Sequence, residues 1–299
     1  MKKHLSFYLL LLILPAILLI TACSDDNKTT TGVSASNIVV LITDYGDYGP
    51  WMGRLKGFVL EASANAKVIV GDSNVPAYDV MSGAFIIKNI YSAYPNGTIF
   101  VCVVEPSTSS ATDAIVVDYK GRMFTAPDNG LLSYLLMDTT NVTGINKVET
   151  LGIDYGAPYS LSRDELFGTI GGLISRGWYL NDFGSAMDSA NVLPIFETWL
   201  DGDTIITQAA FTDVFGNITT HAGIVDWGAA GIFVEDTLVV EYPGGQFKAL
   251  AGESYSSVAS GEEVAFINSL ELIEIAINLG SLADVYGISV GDTLRVYKQ

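Results

Sequence analysis

The chain has 299 residues, of which 49% are hydrophobic, and it carries 33 acidic side chains against 15 basic ones, a formal charge of −18. So acidic a surface repels phosphate backbones, and no cluster of Lys or Arg offsets it, which argues against nucleic acid as a partner. The hydrophobic fraction supplies ample material for a core, and the length predicts two domains.

The first 22 residues have the pattern of a secretion signal. Lys2 and Lys3 form a basic start, an apolar stretch runs from Leu5 to Ile20, and ITAC places small residues before Cys23. The pattern resembles a bacterial lipoprotein signal. The resemblance implies cleavage before Cys23, lipidation of that cysteine, and an exported protein anchored to a bacterial membrane on its periplasmic or cell-surface side. The alternative is an uncleaved membrane anchor, because the apolar stretch is just long enough to span.

Residues 23–37 comprise this cysteine and a polar run, SDDNKTTTGVSASN, which predicts a flexible tether. Removal of Lys2 and Lys3 with the signal leaves 13 basic side chains against 33 acidic ones, a charge near −20. Cys102 is then the only free cysteine and His221 the only histidine, so neither an intrachain disulfide nor a His or Cys metal cluster can form. A Ser-His-Asp site would have to use His221. We expect instead a solvated or hydrogen-bonded histidine, and neither a metal nor another cofactor.

The first half of the folded part alternates strand and helix patterns, as parallel-sheet domains do. Runs of β-branched residues predict strands at Ile38–Thr43, Lys67–Val70, Thr98–Glu105 and Ala114–Asp118. Helical spacing of apolar residues is found at Trp51–Ser63, Asp79–Tyr94, Asn129–Met137 and about Arg163–Arg176. Near-continuous apolar runs such as IFVCVV indicate strands buried on both faces. Residues 38–190 are therefore predicted to form an α/β domain with a mainly parallel sheet.

After Pro194 the pattern changes to strands separated by Gly-rich turns. The strand-like runs are TIITQAAF, GIFVEDTLVVEY, EVAFI, ELIEIAI and TLRVY. Short strands at such regular spacing are typical of an all-β sheet or barrel. Residues 191–299 are therefore predicted to form a barrel-like all-β domain, with the break between the domains near residues 185–198.

An acidic side chain stands at the end of the first predicted strand, where the stretch TDYGDYGPWMGRLKG begins. In open α/β sheets ligands bind at the carboxyl ends of strands, where a carboxylate can hold a ribose hydroxyl and small residues admit the ligand. Asp44 is therefore a candidate ligand contact. The alternative is an ordinary turn, with Gly46 and Gly49 at positive φ and Pro50 opening the helix.

Seven separated motifs occur in a defined order along residues 38–299. They are TDYGDYGPWMGRLKG, VPAYDVMSGAFII, YPNGTIFVCVVEP, APDNGLL, LSRDELFG, DVFGNITT, and NSLELIEIAINLG with GISVGDTLRV. Their order resembles that of the S-adenosylmethionine (SAM) hydroxide adenosyltransferase and halogenase family. The resemblance implies an α/β domain followed by a β-barrel. It also implies a homotrimer that binds SAM between the N-terminal domain of one subunit and the C-terminal domain of the next.

The resemblance implies two ligand contacts in the first domain. Asp44 would bond the ribose hydroxyls, and the Gly-rich turn after it would admit the ligand. Tyr78 would lie beside the ribose and the reacting carbon. The alternative for Tyr78 is an ordinary loop tyrosine.

The resemblance also implies ligand contacts in the second domain. In DVFGN, Asp213 and Asn217 would hold the amino-acid end of SAM, a zwitterion that needs both an acceptor and a donor. Ser269 would contact the same carboxylate. The backbone around Ile277 and Leu279 would meet the adenine edge. For Asp213 and Asn217 the alternative is turn chemistry, which these residue types serve well.

The catalytic positions depart from the pattern of the family. Hydroxide-transferring members carry an Asp-Arg-His set that orients and activates water, and the corresponding positions here read Glu105, Thr112 and Ser162. No arginine at residue 112 balances Glu105, and no imidazole at residue 162 relays a proton. Thr108, and Ser162 before Arg163, partly match the halide pocket of halogenating members. Those members have tyrosine where Glu105 stands, and an ionised carboxylate repels a halide.

The sequence therefore predicts an exported lipoprotein that binds SAM or a related nucleoside. Its candidate reaction is hydrolysis of SAM to adenosine and methionine, by attack of water at the ribose 5′ carbon. Glu105 is the candidate base, with Thr108 and Ser162 as orienting hydroxyls. The main alternative is a nucleoside-binding lipoprotein without catalysis. A SAM-dependent halogenase and a structural surface module are less favoured.

Overall fold

The computed structural model describes residues 36–105, 112–152 and 161–299. The predicted signal sequence, Cys23, Thr108 and most of the predicted tether lie outside these ranges and stay predictions. Within the described ranges, no helix combines the length and apolar character needed to cross a membrane.

The first part of the chain forms a sheet with helices on both faces. Its strands are β1 (Ile38–Thr43), β2 (Lys67–Asp72), β3 (Ile99–Val103), β4 (Ala114–Tyr119), β5 (Arg122–Pro127) and β6 (Val142–Lys147). Their spatial order is β2-β1-β3-β5-β4-β6. The neighbours from β2 to β5 pair in parallel, whereas β4 runs antiparallel to β5 and β6. The predicted α/β domain with a mainly parallel sheet is confirmed.

The helices of this part are α1 (Trp51–Ala62), α2 (Val80–Ile90), α3 (Ser133–Leu136), α4 (Arg163–Ser175) and α5 (Leu180–Phe183). α1 and α4 agree with the sequence prediction to within one residue at each end. The helix predicted from Asn129 begins later, because Gly130 adopts a φ of +93°, which a right-handed helix does not contain. The helix predicted for Asp79–Tyr94 is α-helical only over Val80–Ile90, and a 3₁₀ turn follows it over Tyr91–Ala93.

Alternation along the central strands explains why their sequence is apolar throughout. Val39 and Leu41 of β1 belong to the core that α1 and α4 cover. Val40 and Ile42, whose side chains point to the opposite face, belong to the core that α2 covers. A strand covered on both faces favours apolar residues along its whole length. β3 shows the same pattern, with Cys102 fully buried.

α1 and α4 lie so close together that glycine is required between them. A Cβ atom at Gly168 would stand 2.7 Å from Phe58 Cβ, and one at Gly172 would stand 2.5 Å from Ala62 Cβ and 2.6 Å from the Val59 carbonyl oxygen. The FGTIGG stretch therefore allows the backbones of the two helices to approach each other.

We expect Gly172→Ala to lower the free energy of unfolding by about 1–3 kcal/mol, the usual cost of overpacking, because the backbone of α1 must move. Gly57→Ala is the matched control, since Gly57 lies within α1 and a Cβ atom added there would have no neighbouring atom within 4 Å. In a helix interior that change stabilises by about 0.5–1 kcal/mol. Urea unfolding measures both variants, and equal stability of the two would contradict the close approach of the helices.

The second part of the chain is a closed β-barrel. Its strands are β7 (Trp199–Asp201), β8 (Thr204–Thr212), β9 (Ile218–Gly223), β10 (Thr237–Tyr242), β11 (Gly245–Ala251), β12 (Glu263–Ile267), β13 (Leu272–Ile277) and β14 (Thr293–Lys298). Seven strands follow one another in the order β14-β10-β11-β12-β13-β9-β8, and the barrel closes because β14 pairs with β8. The short strand β7 also pairs with β8. The short helices α6 (Ile224–Ala229) and α7 (Leu282–Tyr286) lie between strands. The predicted barrel is confirmed.

One strand-like run of the second part is only half a strand. In GIFVEDTLVVEY the ladder begins at Thr237, because Glu235 has a φ of +76° and the Asp236 carboxylate accepts a hydrogen bond from Phe233 N, at 2.8 Å. Because of these two features, the first half of the run forms a turn and not a strand. Apolar composition alone did not distinguish that turn from a strand.

His221 lies in β9 and is half buried, with Nδ1 3.3 Å from the Tyr134 hydroxyl. This contact agrees with the expected hydrogen-bonded histidine. Burial, helped by the positive charge of Lys88, lowers the pKa of His221 to about 4. The imidazole is therefore neutral at neutral pH.

His221 should make the stability depend on pH. Its pKa is about 4 when folded and near 6.5 when unfolded, so the unfolded chain binds the extra proton and stability falls as pH drops from 6.5 to 4. We expect His221→Gln to remove this part of the pH dependence. Urea unfolding at pH 7.5 and 4.5 measures it, and an equal loss of stability in parent and variant would contradict the assignment.

Candidate functional site

The loop after β1 places Asp44 at the carboxyl edge of the parallel sheet. Asp44 Oδ2 accepts a hydrogen bond of 3.0 Å from Tyr78 N, and Asp44 N lies 3.4 Å from the Val103 carbonyl oxygen at the end of β3. Gly46 and Gly49 have φ values of +71° and +89°, as the turn interpretation requires. The two interpretations of Asp44, as a turn residue and as a candidate ligand contact, are thus compatible, because the turn places its carboxylate at the cavity described next.

A cavity of about 510 Å³ opens beside Asp44. It lies where β1 and β3 end and α4 begins. Among its lining residues are Asp44, Tyr45, Tyr78, Glu105, Ser162 and Arg163. The structure therefore brings together the first-domain residues that the sequence analysis selected, except Thr108, which lies outside the described ranges.

Arg163 forms an ion pair with Glu105 inside this cavity. The guanidinium Nε donates to Glu105 Oε2 at 2.7 Å, and Nη2 donates to Oε1. A third donor, Nη1, reaches the Thr112 carbonyl oxygen at 3.2 Å. Residue 112 is a threonine, and the positive charge beside Glu105 comes from Arg163 at the start of α4. Sequence reasoning did not select Arg163 as a site residue. Its place directly after Ser162 in the LSRDE motif was the available signal.

A second arginine–carboxylate pair supports the start of α4. Arg54 of α1 donates through Nε to Asp164 Oδ2 at 2.6 Å, and the Asp164 side chain is only 4% exposed. Arg54 Nη2 also lies 3.5 Å from Ser162 Oγ. Ser162 stands at the N-cap of α4, yet its hydroxyl makes no capping bond, which leaves it at the cavity wall.

Burial raises the pKa values of the two candidate carboxyl groups above their usual range. Hydrogen bonds from backbone N–H groups, of Tyr78 first, oppose this rise at Asp44. At Glu105 the ion pair with Arg163 opposes it, while the charge of Asp44 adds to it. Burial and the nearby carboxylates, led by Asp164, raise the pKa of Tyr45 far above its usual value. The cavity thus brings the carboxylates of Asp44, Glu105 and Asp164 together in a partly buried site.

A second cavity, of about 540 Å³, lies in the barrel domain. It is lined in part by Asp213, Phe215, Asn217, Tyr255, Ile277 and Leu279. The structure thus places four of the five selected second-domain residues together. Those four are Asp213, Asn217, Ile277 and Leu279.

The turn alternative holds for Asp213 within this second set. Asp213 Oδ1 accepts from Phe215 N and Asn217 N, each at 2.9 Å, and Oδ2 accepts from Asn217 Nδ2 at 2.9 Å. Asp213 therefore organises its own loop. Asn217 is nearly buried, and its amide nitrogen also lies 3.5 Å from the Tyr255 hydroxyl.

Ser269 does not line the second cavity with Ile277 and Leu279. It lines a third cavity, of about 610 Å³, which shares Asp213 and Tyr255 with the second. The buried Glu274 lies there as well. It accepts hydrogen bonds from the Tyr255 hydroxyl and from Asn268 Nδ2, the latter at 2.9 Å. Glu274 lies within the motif NSLELIEIAINLG, which did not single it out, and Tyr255 lies outside the quoted motifs.

Two selected residues have a backbone conformation that non-glycine residues rarely adopt. Tyr78 has a φ of +66° and Leu279 a φ of +60°. Their side chains are 64% and 88% exposed, although both are apolar or aromatic and line cavities. Strained backbone of this kind clusters at functional sites. The described residues include no cluster of three or more His, Cys, Asp or Glu able to hold a metal ion.

The architecture and its cavities define a class of two-domain protein. An α/β domain has an acidic cavity at the ends of its strands, and a seven-stranded barrel with a further cavity follows it. The N-terminal domain model of SAM hydroxide adenosyltransferases matches residues 39–184. The C-terminal domain model of the same proteins matches residues 207–295. The chain belongs to the SAM hydroxide adenosyltransferase family.

Similar proteins cover nearly the whole folded part. The chain is 27% identical over 262 residues to the (R)-S-adenosyl-L-methionine hydrolase of Salinispora tropica, covering 85% of this chain and 95% of that protein. It is 22% identical to the fluorinase of an Actinoplanes species, covering 87% and 97%. The crystal structure of an uncharacterized conserved protein from Thermotoga maritima matches with a TM-score of 0.79 at 23% identity, covering 87% and 99%, and that likeness shows the fold.

Proposed function

We propose that this protein binds SAM and hydrolyses it to adenosine and methionine. The observation that carries the proposal is the cavity at the strand ends, where Asp44, Tyr78 and Glu105 lie together in a chain of this family. Relatives that cover most of the chain include proteins named SAM hydrolase. Asp44 offers a carboxylate to the ribose hydroxyls, and the ring of Tyr78 offers an apolar surface at the cavity rim.

In this reaction the oxygen of a water molecule attacks the 5′ carbon of the ribose. The carbon–sulfur bond breaks as the carbon–oxygen bond forms, and the sulfur leaves with the bonding electron pair as the thioether of methionine. Glu105 accepts the proton of the water and passes it to solvent. Assistance by a positioned base of this kind contributes about 10²- to 10⁴-fold in rate.

A second candidate function is binding of a nucleoside ligand without turnover. The ion pair of Glu105 favours this second candidate, because Arg163 donates hydrogen bonds to both carboxylate oxygens. The ion pair opposes the rise of the Glu105 pKa that burial causes, and it occupies a lone pair on each carboxylate oxygen. Ser162 and Thr112 supply neither an imidazole nor a guanidinium.

Two assays separate these functions. We expect SAM and adenosine each to raise the melting temperature, and SAM to be converted to adenosine and methionine in equal amounts. Glu105→Gln should cut turnover by about 10²-fold or more while leaving SAM affinity nearly intact, because it removes the base and retains the shape. The control is Glu61→Gln, an exposed position of α1. Binding without products would support the second candidate, and no melting shift with either ligand would contradict both.

We propose further that the protein is a homotrimer whose ligand lies between two subunits. The support is the separation of the selected residues into two sets that line different cavities. Neither set alone offers contacts for both the ribose and the adenine. A stable monomer at micromolar concentration in light scattering of residues 24–299 would contradict the trimer.

We also propose that the protein is exported and lipid-anchored through Cys23. The support is the basic start, the apolar stretch and the ITAC sequence before that cysteine. Mass spectrometry of the mature N-terminus tests this. We expect a diacylglycerol-modified Cys23 as the first residue, and a chain that retains residues 1–22 would contradict it.

A further inference from the structure

Three residues hold the Arg163 guanidinium in the first-domain cavity. Its side chain is 16% exposed and that of Glu105 is 10% exposed, so the ion pair between them is largely removed from water. In addition to its bonds to Glu105 and to the Thr112 carbonyl oxygen, the guanidinium carbon lies 4.7 Å from the centre of the Phe167 ring. A planar guanidinium that is bonded at its edges and stacked on one face has a single orientation.

The groups that face Glu105 come from two further segments. Asp44 and Tyr45 follow β1, and Arg163 begins α4. Of the residues that the structure describes, Arg163 is the one that forms an ion pair with Glu105. Burial and the charge of Asp44 both favour the protonated form of Glu105, and Arg163 favours the ionised form.

We propose that Arg163 is a positioning residue that holds the Glu105 carboxylate in one orientation in the ligand cavity. The proposal rests on the proposed function for its consequence in catalysis, but the geometry of the pair exists without ligand. Because Arg163 occupies the two carboxylate oxygens along the edge that it faces, Glu105 can meet water or ligand only through its remaining lone pairs.

The pair can be tested without any ligand. In Arg163→Met a buried carboxylate loses its partner, so we expect a larger drop in melting temperature at pH 8, where Glu105 is ionised, than at pH 5. Adding Glu105→Gln should remove this pH-dependent part. The matched control is Arg54→Met, which breaks the neighbouring pair with Asp164. Its loss of stability should not be relieved by Glu105→Gln.

A second measurement separates positioning from a purely structural role. If SAM is turned over, Arg163→Met should move the acidic limb of the pH–rate profile to higher pH, because Glu105 then holds its proton more tightly. Arg163→Lys keeps the charge but not the two-pronged geometry. In Arg163→Lys we expect the acidic limb of the pH–rate profile to stay near its position in the parent protein, and the rate to be lower at every pH.

Three results would overturn the proposal. They are an equal effect of Arg163→Met at both pH values, stability losses in the double variant that simply add, and an unmoved acidic limb in Arg163→Met. Absence of SAM turnover would contradict the proposed hydrolysis but would leave the ligand-free stability test to decide the role of Arg163. The two failures are therefore distinguishable.

Discussion

Asp44→Ala is expected to weaken the affinity for SAM and for adenosine by about 10- to 100-fold. The change removes the carboxylate that faces the cavity at the strand ends, and hydrogen bonds to a charged group contribute about 1.5–3 kcal/mol. Isothermal titration with each ligand measures the loss. Adenosine lacks the amino-acid end of SAM, so a similar loss for both ligands locates the contact at the nucleoside.

The matched control for this prediction is Asp47→Ala. Asp47 lies in the same loop, but its carboxylate accepts hydrogen bonds from Ser73 Oγ at 2.6 Å and Asn74 Nδ2 at 3.0 Å. We expect its removal to affect the loop and not the ligand. Asp44→Asn retains an oxygen that can accept from Tyr78 N, so it separates loss of the loop contact from loss of charge. If Asp44→Ala bound both ligands as tightly as the parent, Asp44 would be a turn residue only.

The order of elements in the first domain could be predicted from the sequence because its signals are local. IVVLI is apolar at every position since both faces of β1 are covered, and helical spacing marked α1 and α4. The strands β5, β6, β7, β9 and β11 were not predicted. β6 is largely half buried, and β11 alternates exposed with buried positions, so neither has the long apolar run that marked β3.

The site was predictable where one residue carries the signal and not where two distant residues meet. Asp44 is recognisable from its place after a strand, whatever the remaining fold. The pair of Glu105 and Arg163 joins positions 58 residues apart. It depends on how α4 packs against the end of β3, which no local pattern encodes. Tyr255 and Glu274 were missed for the same reason.

Asp213 shows that one motif can serve a turn and a cavity together. The sequence left open whether DVFGN is turn chemistry or a ligand contact. The structure shows that the carboxylate is engaged within its own loop and that the loop lines the cavity of the barrel domain. Asn217, which this loop holds in place, is therefore the better choice for a variant that damages the second-domain set.

Mixing two inactive variants should restore binding if the ligand lies between subunits. We expect Asp44→Ala and Asn217→Ala each to lose high-affinity SAM binding, because each damages one of the two sets. In trimers assembled at random from equal amounts of both, a site is intact when its first-domain set comes from an Asn217→Ala chain and its second-domain set from an Asp44→Ala chain. That combination occurs at about one quarter of the sites.

The measurement is the stoichiometry of high-affinity SAM binding to the co-expressed mixture, purified without selection for mixed trimers. We expect about 0.25 sites per chain, against none for either variant alone. The control is a mixture of Asp44→Ala with Tyr78→Ala. Both of these variants damage the first-domain set, so every first-domain set in the mixture is defective and no intact site can form. If the first mixture gave no more high-affinity sites than this control, the two sets would not be joined across subunits.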